Sequence, residues 1–480
     1  MPQPVVRSTE DAETAELVDG FVAIRAQMHV PPAFAPDVEA AAADAAARLS
    51  GSRPDRREID LVTLDPPGSR DLDQAFGIER RTAGGWRVWY AIADVAAFVT
   101  AGDAVDVEAR KRGTTMYCPD VRTPLHPAVL SEGAASLLPG DDRPALLWQI
   151  DLDGDGAIDG DATLVHALVR SRAALDYPSV QGAVDAGHAD ERMTLLREVG
   201  EARLRQEQQR GGVSLNLPEQ LVSRAGDTYQ LEFRTPLAVE GWNAQLSLLA
   251  GIAAAEIMLR GKVGLLRTLP APQPKVLDRL RRVAAALGVP WAPGQSYADF
   301  VRTIDGATTS GAALLHQAAH TLRGAGYVAF DGNVPADHEH GALATPYAHV
   351  TAPLRRLGDR FANAVVLALV AGEEVPPWVR AALPDLPKLM GQANGREHSL
   401  SAAVVDFVEA MALRHRVGQR FDAAIVDVDQ RGAMAQLRDP AVLARVPGAP
   451  AADLGRDVEV RLDGVDLEHR SLQFSLPSPA

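Results

Sequence analysis

Residues 64–76 read LDPPGSRDLDQAF. Three carboxylates, Asp65, Asp71 and Asp73, fall within nine positions, and Pro66, Pro67 and Gly68 stiffen and turn the chain between the first and the other two. VTL before Asp65 is strand-like, and Asp71-Leu72-Asp73 is an i, i+2 pair. If that segment is extended, both carboxylates project to one side and Leu72 and Gln74 to the other. Carboxylates converging at a strand end repel unless a divalent cation lies between them, and hard oxygen ligands of this kind suit Mg²⁺ or Mn²⁺. Such a site can bind a phosphate, activate a water and stabilise a leaving oxygen. A solvated acidic turn neutralised by Arg70 fits the same spacing.

The surroundings of this stretch set the fold class. IDLVTL and WRVWYAIADV are strand-like, with β-branched and aromatic residues bounded by turn signals. ERMTLLREVGEARLRQEQQR, VEGWNAQLSLLAGIAAAEIM, VLDRLRRVAAAL and GAALLHQAAHTLRGAG then read as helices, which predicts an α+β domain over residues 58–415. Upstream, residues 1–57 read as a small helical module. STEDAETAELVDGFVAIRAQM opens on the N-cap residues Ser8 and Thr9, and DVEAAAADAAARL forms a second helix. Downstream, FDAAIVDV, AMAQL, DVEVRLDGVDL and RSLQFSL alternate as short strands and predict a small OB-type barrel over 416–480. A multidomain chain agrees with a length of 480 residues, too long for one core.

Composition narrows the class further. One cysteine, Cys118, excludes an internal disulfide framework and a Cys-based zinc site, and fits a reducing cytosol. The N-terminus lacks a signal-peptide pattern. The stretch LSLLAGIAAAEIMLRG is broken by Glu256 after fewer than the ~18 apolar residues a membrane span requires, so it reads as a buried helix. A soluble, cytoplasmic, monomeric protein is the expectation. The net charge of −15 argues against a non-specific nucleic-acid binder but leaves room for basic residues focused in one channel.

A second cluster, YAHVTAPLRRLGDRFANAVV (residues 347–366), places Arg355 and Arg356 just after Pro353 at the start of a helix. Arginines there suit bidentate phosphate binding, although salt bridges to Asp359 and other surface acids fit the same pattern. Three further patterns carry no chemistry. DLDGDGAIDGDA (151–162) starts like a calcium loop but has Ala162 where a bidentate Glu is needed, so it reads as a hairpin turn. His316 and His320 stand at i, i+4 with no third ligand at metalloprotease spacing, and His338-Glu339-His340 reads as a loop.

Taken together, these segments resemble the RNase II/RNB family of exoribonucleases. LDPPGSRDLDQAF is similar to that family's acidic signature, a DP-type turn followed by D-x-D-D. Residues 88–143 are similar to its next block, with a V-A-I-A-D-V strand, a G-T-x-x-Y-x-P turn and an L-S-x-x-x-x-S-L-x-P-G-x-x-R segment. YAHVTAPLRRLGDR resembles its Y-x-H-F-T-S-P-I-R-R-Y-x-D, and the C-terminal strands resemble its OB-type RNA-binding domain. The resemblance implies an α/β core enclosing a single-strand channel. It also implies processive, hydrolytic 3′→5′ degradation of single-stranded RNA to 5′-nucleoside monophosphates by a two-metal mechanism with Mg²⁺, with Mn²⁺ as a substitute. Carried over by residue, Asp65, Asp71, Asp73 and, in the fourth position, Gln74 are the metal-binding set. Asp73, Asp71 and Arg355 are the catalytic residues, and Tyr117, Arg355 and Arg356 contact RNA.

The departures from the family pattern are as specific as the matches. Gln74 replaces a fourth Asp and adds no negative charge. Ala244 and Gln245 lie near a position where many members carry acids, Asn363 replaces a common His, and Leu217 stands where an aromatic often stacks the 3′ base. Ser401 and Ala402 align loosely with a Glu-Arg pair. In place of two cold-shock-type barrels there is only the short helical region, which a helix-turn-helix-like RNA-binding module would suit, with structured RNA bearing a 3′ overhang as a further partner. The rival reading, motivated by Gln74, is a non-catalytic RNA-binding or adaptor protein on the same fold.

Overall fold

The computed structural model describes residues 6–7, 11–31, 33–48, 52–215, 219–225, 228–306, 308–440, 442–448 and 453–476. At its centre five strands close into a barrel: Leu61–Asp65, Gln74–Arg80, Trp86–Ala93, Asp142–Leu152 and Thr163–Asp176. Neighbouring strands are antiparallel except at the closure, where Leu61–Asp65 runs parallel to Thr163–Asp176. The period-two pattern of WRVWYAIA explains how both faces are filled. Trp86, Val88, Tyr90 and Ile92 pack outward against helices, whereas Ala91 and Ala93 join the alanine-rich second face with Ala75, Ala145 and Ala167. The 151–162 stretch is the connection between two of these antiparallel strands, as the hairpin reading expects, and Asp153 Oδ1 accepts from the N–H groups of Asp155 and Ala157.

The helices Glu191–Arg210, Ala238–Gly261 and Leu357–Ala371 cover the outward face. Ala238–Gly261 is apolar enough for its length to cross a membrane, and it is instead the spine of this cluster: Trp242, Leu246, Leu249 and Ala253 are buried with Phe361 and Val365. Leu357–Ala371 is held at its start by a buried ion pair, Arg360 Nη1 to Asp106 Oδ1 at 2.6 Å, while Arg360 Nη2 donates to the Val99 carbonyl at 2.9 Å. That clamp matters because the arginine pair of the second motif lies directly upstream of it.

The two N-terminal helices, Asp11–Gln27 and Pro36–Ala47, do not share one core. The first buries Leu17, Phe21 and Ile24 in the cluster of the C-terminal strands and the helix Leu386–Leu413, the second buries Val38 and Ala42 on the barrel. Gly20 lets the first helix approach, since a Cβ there would fall 2.1 Å from the Phe407 ring. Ser8 and Thr9 lie outside the described residues. The C-terminal sheet runs Leu443–Val446, Gly432–Leu437, Arg420–Asp429, Asp457–Asp466, Ser471–Ser475, and its two outer strands meet, as an OB-type barrel requires. One local expectation is corrected. Glu339–His340 is a short strand paired with Thr345–Pro346 rather than a loop, because His340 also bridges to Leu269 on a neighbouring strand.

Candidate active site

The strand Leu61–Asp65 delivers Asp65 at its end, and the chain then reverses through Pro66–Ser69. The Ser69 N–H donates to the Pro66 carbonyl at 3.2 Å, with Pro67 second and Gly68 third in the turn. Gly68 has φ of +81°, the left-handed value that a type II turn needs and that glycine adopts without strain. The chain returns through Asp71-Leu72-Asp73 into the strand Gln74–Arg80. Leu72 goes into the alanine-rich cluster and its N–H donates to Ser136 Oγ at 3.0 Å, which turns the flanking carboxylates the other way.

Those carboxylates meet the second motif. Asp73 is 2% exposed, and its Oδ1 accepts from the Leu354 N–H at 2.7 Å while Oδ2 accepts from Arg355 Nε at 3.1 Å. The loop that carries Arg355 is stitched to residues 113–115. Its carbonyl accepts from the Thr115 N–H at 2.9 Å and Thr114 Oγ1 at 2.8 Å, and the Leu357 N–H donates to the Gly113 carbonyl at 3.1 Å. Two residues on, Tyr117 OH donates to Asp71 Oδ2 at 3.3 Å, and the residue is about half exposed. All three matched segments therefore converge on one point.

Burial dominates the electrostatics at that point. Burial pushes the Asp73 carboxyl up to about 7, only partly offset by Arg355 and the Leu354 N–H. Burial likewise raises Asp65 to about 6, against the pull of Arg355, and Asp71 adds to the rise. Among the described residues, the buried Asp65 Oδ2 and Gln74 Oε1 have no hydrogen-bond partner. Buried oxygens are rarely left unpaired without a reason, and buried carboxylates with an orphaned oxygen fit a divalent cation held by Asp65, Asp71 and Asp73; Gln74, next in the chain, offers a neutral oxygen and no charge.

The two arginines separate in role. Arg355 keeps 42% of its side chain exposed while one edge holds Asp73. Arg356 is bound to Asp359, with Nε at 3.0 and 3.2 Å and Nη2 at 2.8 Å, and Asp359 in turn accepts from the Ala352 N–H at 2.8 Å. The salt bridge expected as the alternative for the pair thus describes Arg356. Arg70 does not neutralise the acids; it extends toward Glu132 at 3.7 Å. Arg122 does so instead, bonding both Asp71 and Glu132. Sequence reasoning missed Arg122, whose place is set by cross-strand pairing with Tyr117, five positions earlier in the hairpin.

Among the departures, Asn363 donates to the Val350 carbonyl at 2.7 Å and so braces the loop before Arg355. Gln245 is buried and donates to Glu207 at 2.7 Å, Ala244 is exposed, and Ser401 and Ala402 are exposed on their helix. Leu217 lies outside the described residues. A missed support is Asn243, which donates to the Leu64 carbonyl and to Tyr177 OH, both at 3.1 Å, directly beside Asp65.

The RNB domain matches residues 53–372 and the RNase II-type exonuclease C-terminal S1 domain matches residues 419–476. The chain is 27% identical to Ribonuclease R of Escherichia coli (strain K12), over 89% of its own length and 57% of that protein's. It is 25% identical to Exoribonuclease 2 of Yersinia pseudotuberculosis serotype IB, over 84% of its length and 64% of the relative's. The chain therefore spans less than two thirds of these relatives. Mycoplasma genitalium RNase R in its apo form superposes with a TM-score of 0.85 at 19% identity, covering 96% of this chain and 78% of that one. The same protein in complex with ribose methylated single-stranded RNA gives 0.84. With two thirds of its residues inside the matched core and the S1 domain behind it, the chain belongs to the RNB domain family.

Proposed function

We infer that this chain is a hydrolytic exoribonuclease that shortens single-stranded RNA from the 3′ end and releases 5′-nucleoside monophosphates. The observation that carries the reading is the meeting of Asp65, Asp71 and Asp73 with the half-exposed side chains of Arg355 and Tyr117. Relatives carrying the names Ribonuclease R and Exoribonuclease 2 support it. Two Mg²⁺ ions, with Mn²⁺ as substitute, would supply Lewis acidity at the scissile phosphate and an ionisable water when bound by Asp65, Asp71 and Asp73. The chain's own residues do the rest. Arg355 is oriented by Asp73 on one edge and presents its other N–H groups to the phosphoryl oxygens, where charge grows as the P–O3′ bond breaks. Tyr117, fixed through Asp71, gives the terminal base a stacking face without sequence preference. Asp73 is held by two donors in a buried position, so its carboxylate cannot swing away as the strand advances.

The test is single-stranded RNA, 5′-labelled in one reaction and internally labelled in a second, incubated with the full chain, with and without Mg²⁺. A ladder receding from the 3′ end with mononucleotide product is the expected result. Asp73→Asn should leave RNA binding nearly intact and remove cleavage, and wild-type turnover by that variant would sink the assignment.

A further inference from the structure

Far along the chain from the acids, the fold completes a ligand set that the linear sequence leaves two-membered. His316 lies on the helix Thr309–Ala319 and His320 on the short 3₁₀ turn that continues it. Their rings stand with centroids 6.0 Å apart. The C-terminal strand Arg420–Asp429 packs across this helix and brings Asp427 to the pair, with Asp427 Oδ2 3.5 Å from His320 Nε2. One donor atom from each of the three lies within 4.8 Å of the others. We propose that His316, His320 and Asp427 form a Zn²⁺ site that fastens the C-terminal domain to the helical part of the RNB core.

Two independent features aim Asp427 at the histidines. The strand pairing slips between Ile425 and Asp427, and a β-bulge of this kind re-aims the side chain it carries. Gln317, buried between the two histidines in sequence, donates from Nε2 to Asp427 Oδ1, which turns Oδ2 toward His320. Metal-ligating carboxylates are held by outer hydrogen bonds in this way. Both histidines are only half-buried, leaving an entry path and a fourth position for water, the arrangement of three-ligand zinc sites. Closing the donors onto bonds of about 2.0–2.2 Å requires side-chain rotation on the order of an ångström.

The charges facing the cluster select the ion. Arg323 lies near both histidines and Arg279 near His320, against the single carboxylate of Asp427. A hard cation held by charge alone is disfavoured there, whereas imidazole nitrogens suit Zn²⁺ through ligand type. The linkage ties the C-terminal domain, the family's S1 element, to the core through a bond that chelation would break.

The experiment uses the full chain, stripped with EDTA and held in excess Mg²⁺ so that the acidic site does not compete. Titration with Co²⁺ should give the visible bands of a tetrahedral N/O complex, saturating at one equivalent and discharged by equimolar Zn²⁺. Zn²⁺ should also raise the melting temperature. His316→Asn and His320→Asn, each melting as wild type in EDTA, should lose both signals. A wild-type chain that shows no stoichiometric Co²⁺ band overturns the proposal without reference to any variant, as does a band that survives both substitutions. In either case the cluster is a hydrogen-bonded contact between domains and nothing more.

Discussion

Arg355 Nε stands 3.1 Å from Asp73 Oδ2, joining residues 282 positions apart in the chain, and 42% of the arginine side chain remains exposed. One edge of the guanidinium is thus spent on orientation and the rest is presented outward. Replacing Arg355 by Ala should lower the single-turnover cleavage rate by roughly 10²–10³, the usual loss for one donor to a developing oxyanion. RNA affinity, read by fluorescence anisotropy, should change far less. Arg355→Lys should not restore the rate, because a point charge cannot bond Asp73 and a phosphate along two edges at once.

Gln74 gives the second prediction. Among the described residues its Oε1 is buried with no hydrogen-bond partner, as is Asp65 Oδ2. If that oxygen serves a bound cation or its water, Gln74→Asp should lower the half-activating Mg²⁺ concentration by about tenfold or more, through one added charge. Gln74→Leu should raise it. Unchanged half-activation in both variants would place Gln74 outside the coordination shell.

Both halves of this site were legible in the sequence because each is a local pattern: a turn of Pro, Pro and Gly between carboxylates, and Arg-Arg before a helix. Period-two strands and helical repeats of apolar residues likewise located the helices Glu191–Arg210 and Ala238–Gly261. What could not be read was pairing at a distance. The barrel closure depends on Leu61–Asp65 running parallel to Thr163–Asp176, about a hundred residues on, and no local signal encodes that register. The fate of each arginine was hidden for the same reason: Arg70 and Arg122 are equally basic in the sequence, and only the hairpin at Tyr117 decides that Arg122 reaches Asp71. Asp427 joins His316 and His320 only because the C-terminal strand docks on their helix.

The raised carboxylates give a signed pH dependence. Asp73 near 7 and Asp65 near 6 hold protons in the folded chain that the unfolded chain, near 3.9, has already released. Their contribution to stability is therefore greatest below about pH 4 and is lost as pH rises through 6 to 7. Mg²⁺ needs the ionised forms, so it should bind more tightly over that same rise and release protons in doing so. The increase in melting temperature on adding Mg²⁺ should be clearly larger at pH 8 than at pH 5. An equal increase at both would mean that these carboxyls are not the ligands.

The buried pair that sets the Arg355 loop in place can be broken from either side, and the two breaks should differ. Arg360 and Asp106 are almost fully buried and 2.6 Å apart. Removing one partner of such a pair typically costs about 3–5 kcal/mol, because the other is left charged and uncompensated. Asp106 would keep two other donors, the Gly102 N–H at 2.8 Å and Arg110 Nε at 3.0 Å. Among the described residues Arg360 would keep the Val99 carbonyl, the faces of Phe361 and Trp378 and the more distant charge of Asp103, and its Nε has no hydrogen-bond partner. Arg360→Met should therefore fall at or below the lower end of that range and Asp106→Leu at the upper end, measured by urea unfolding. The double variant should regain stability over Asp106→Leu, since no unpaired guanidinium then remains buried. If Arg360→Met proved the more damaging change, the carboxylate rather than the arginine would be the group that depends on the pair.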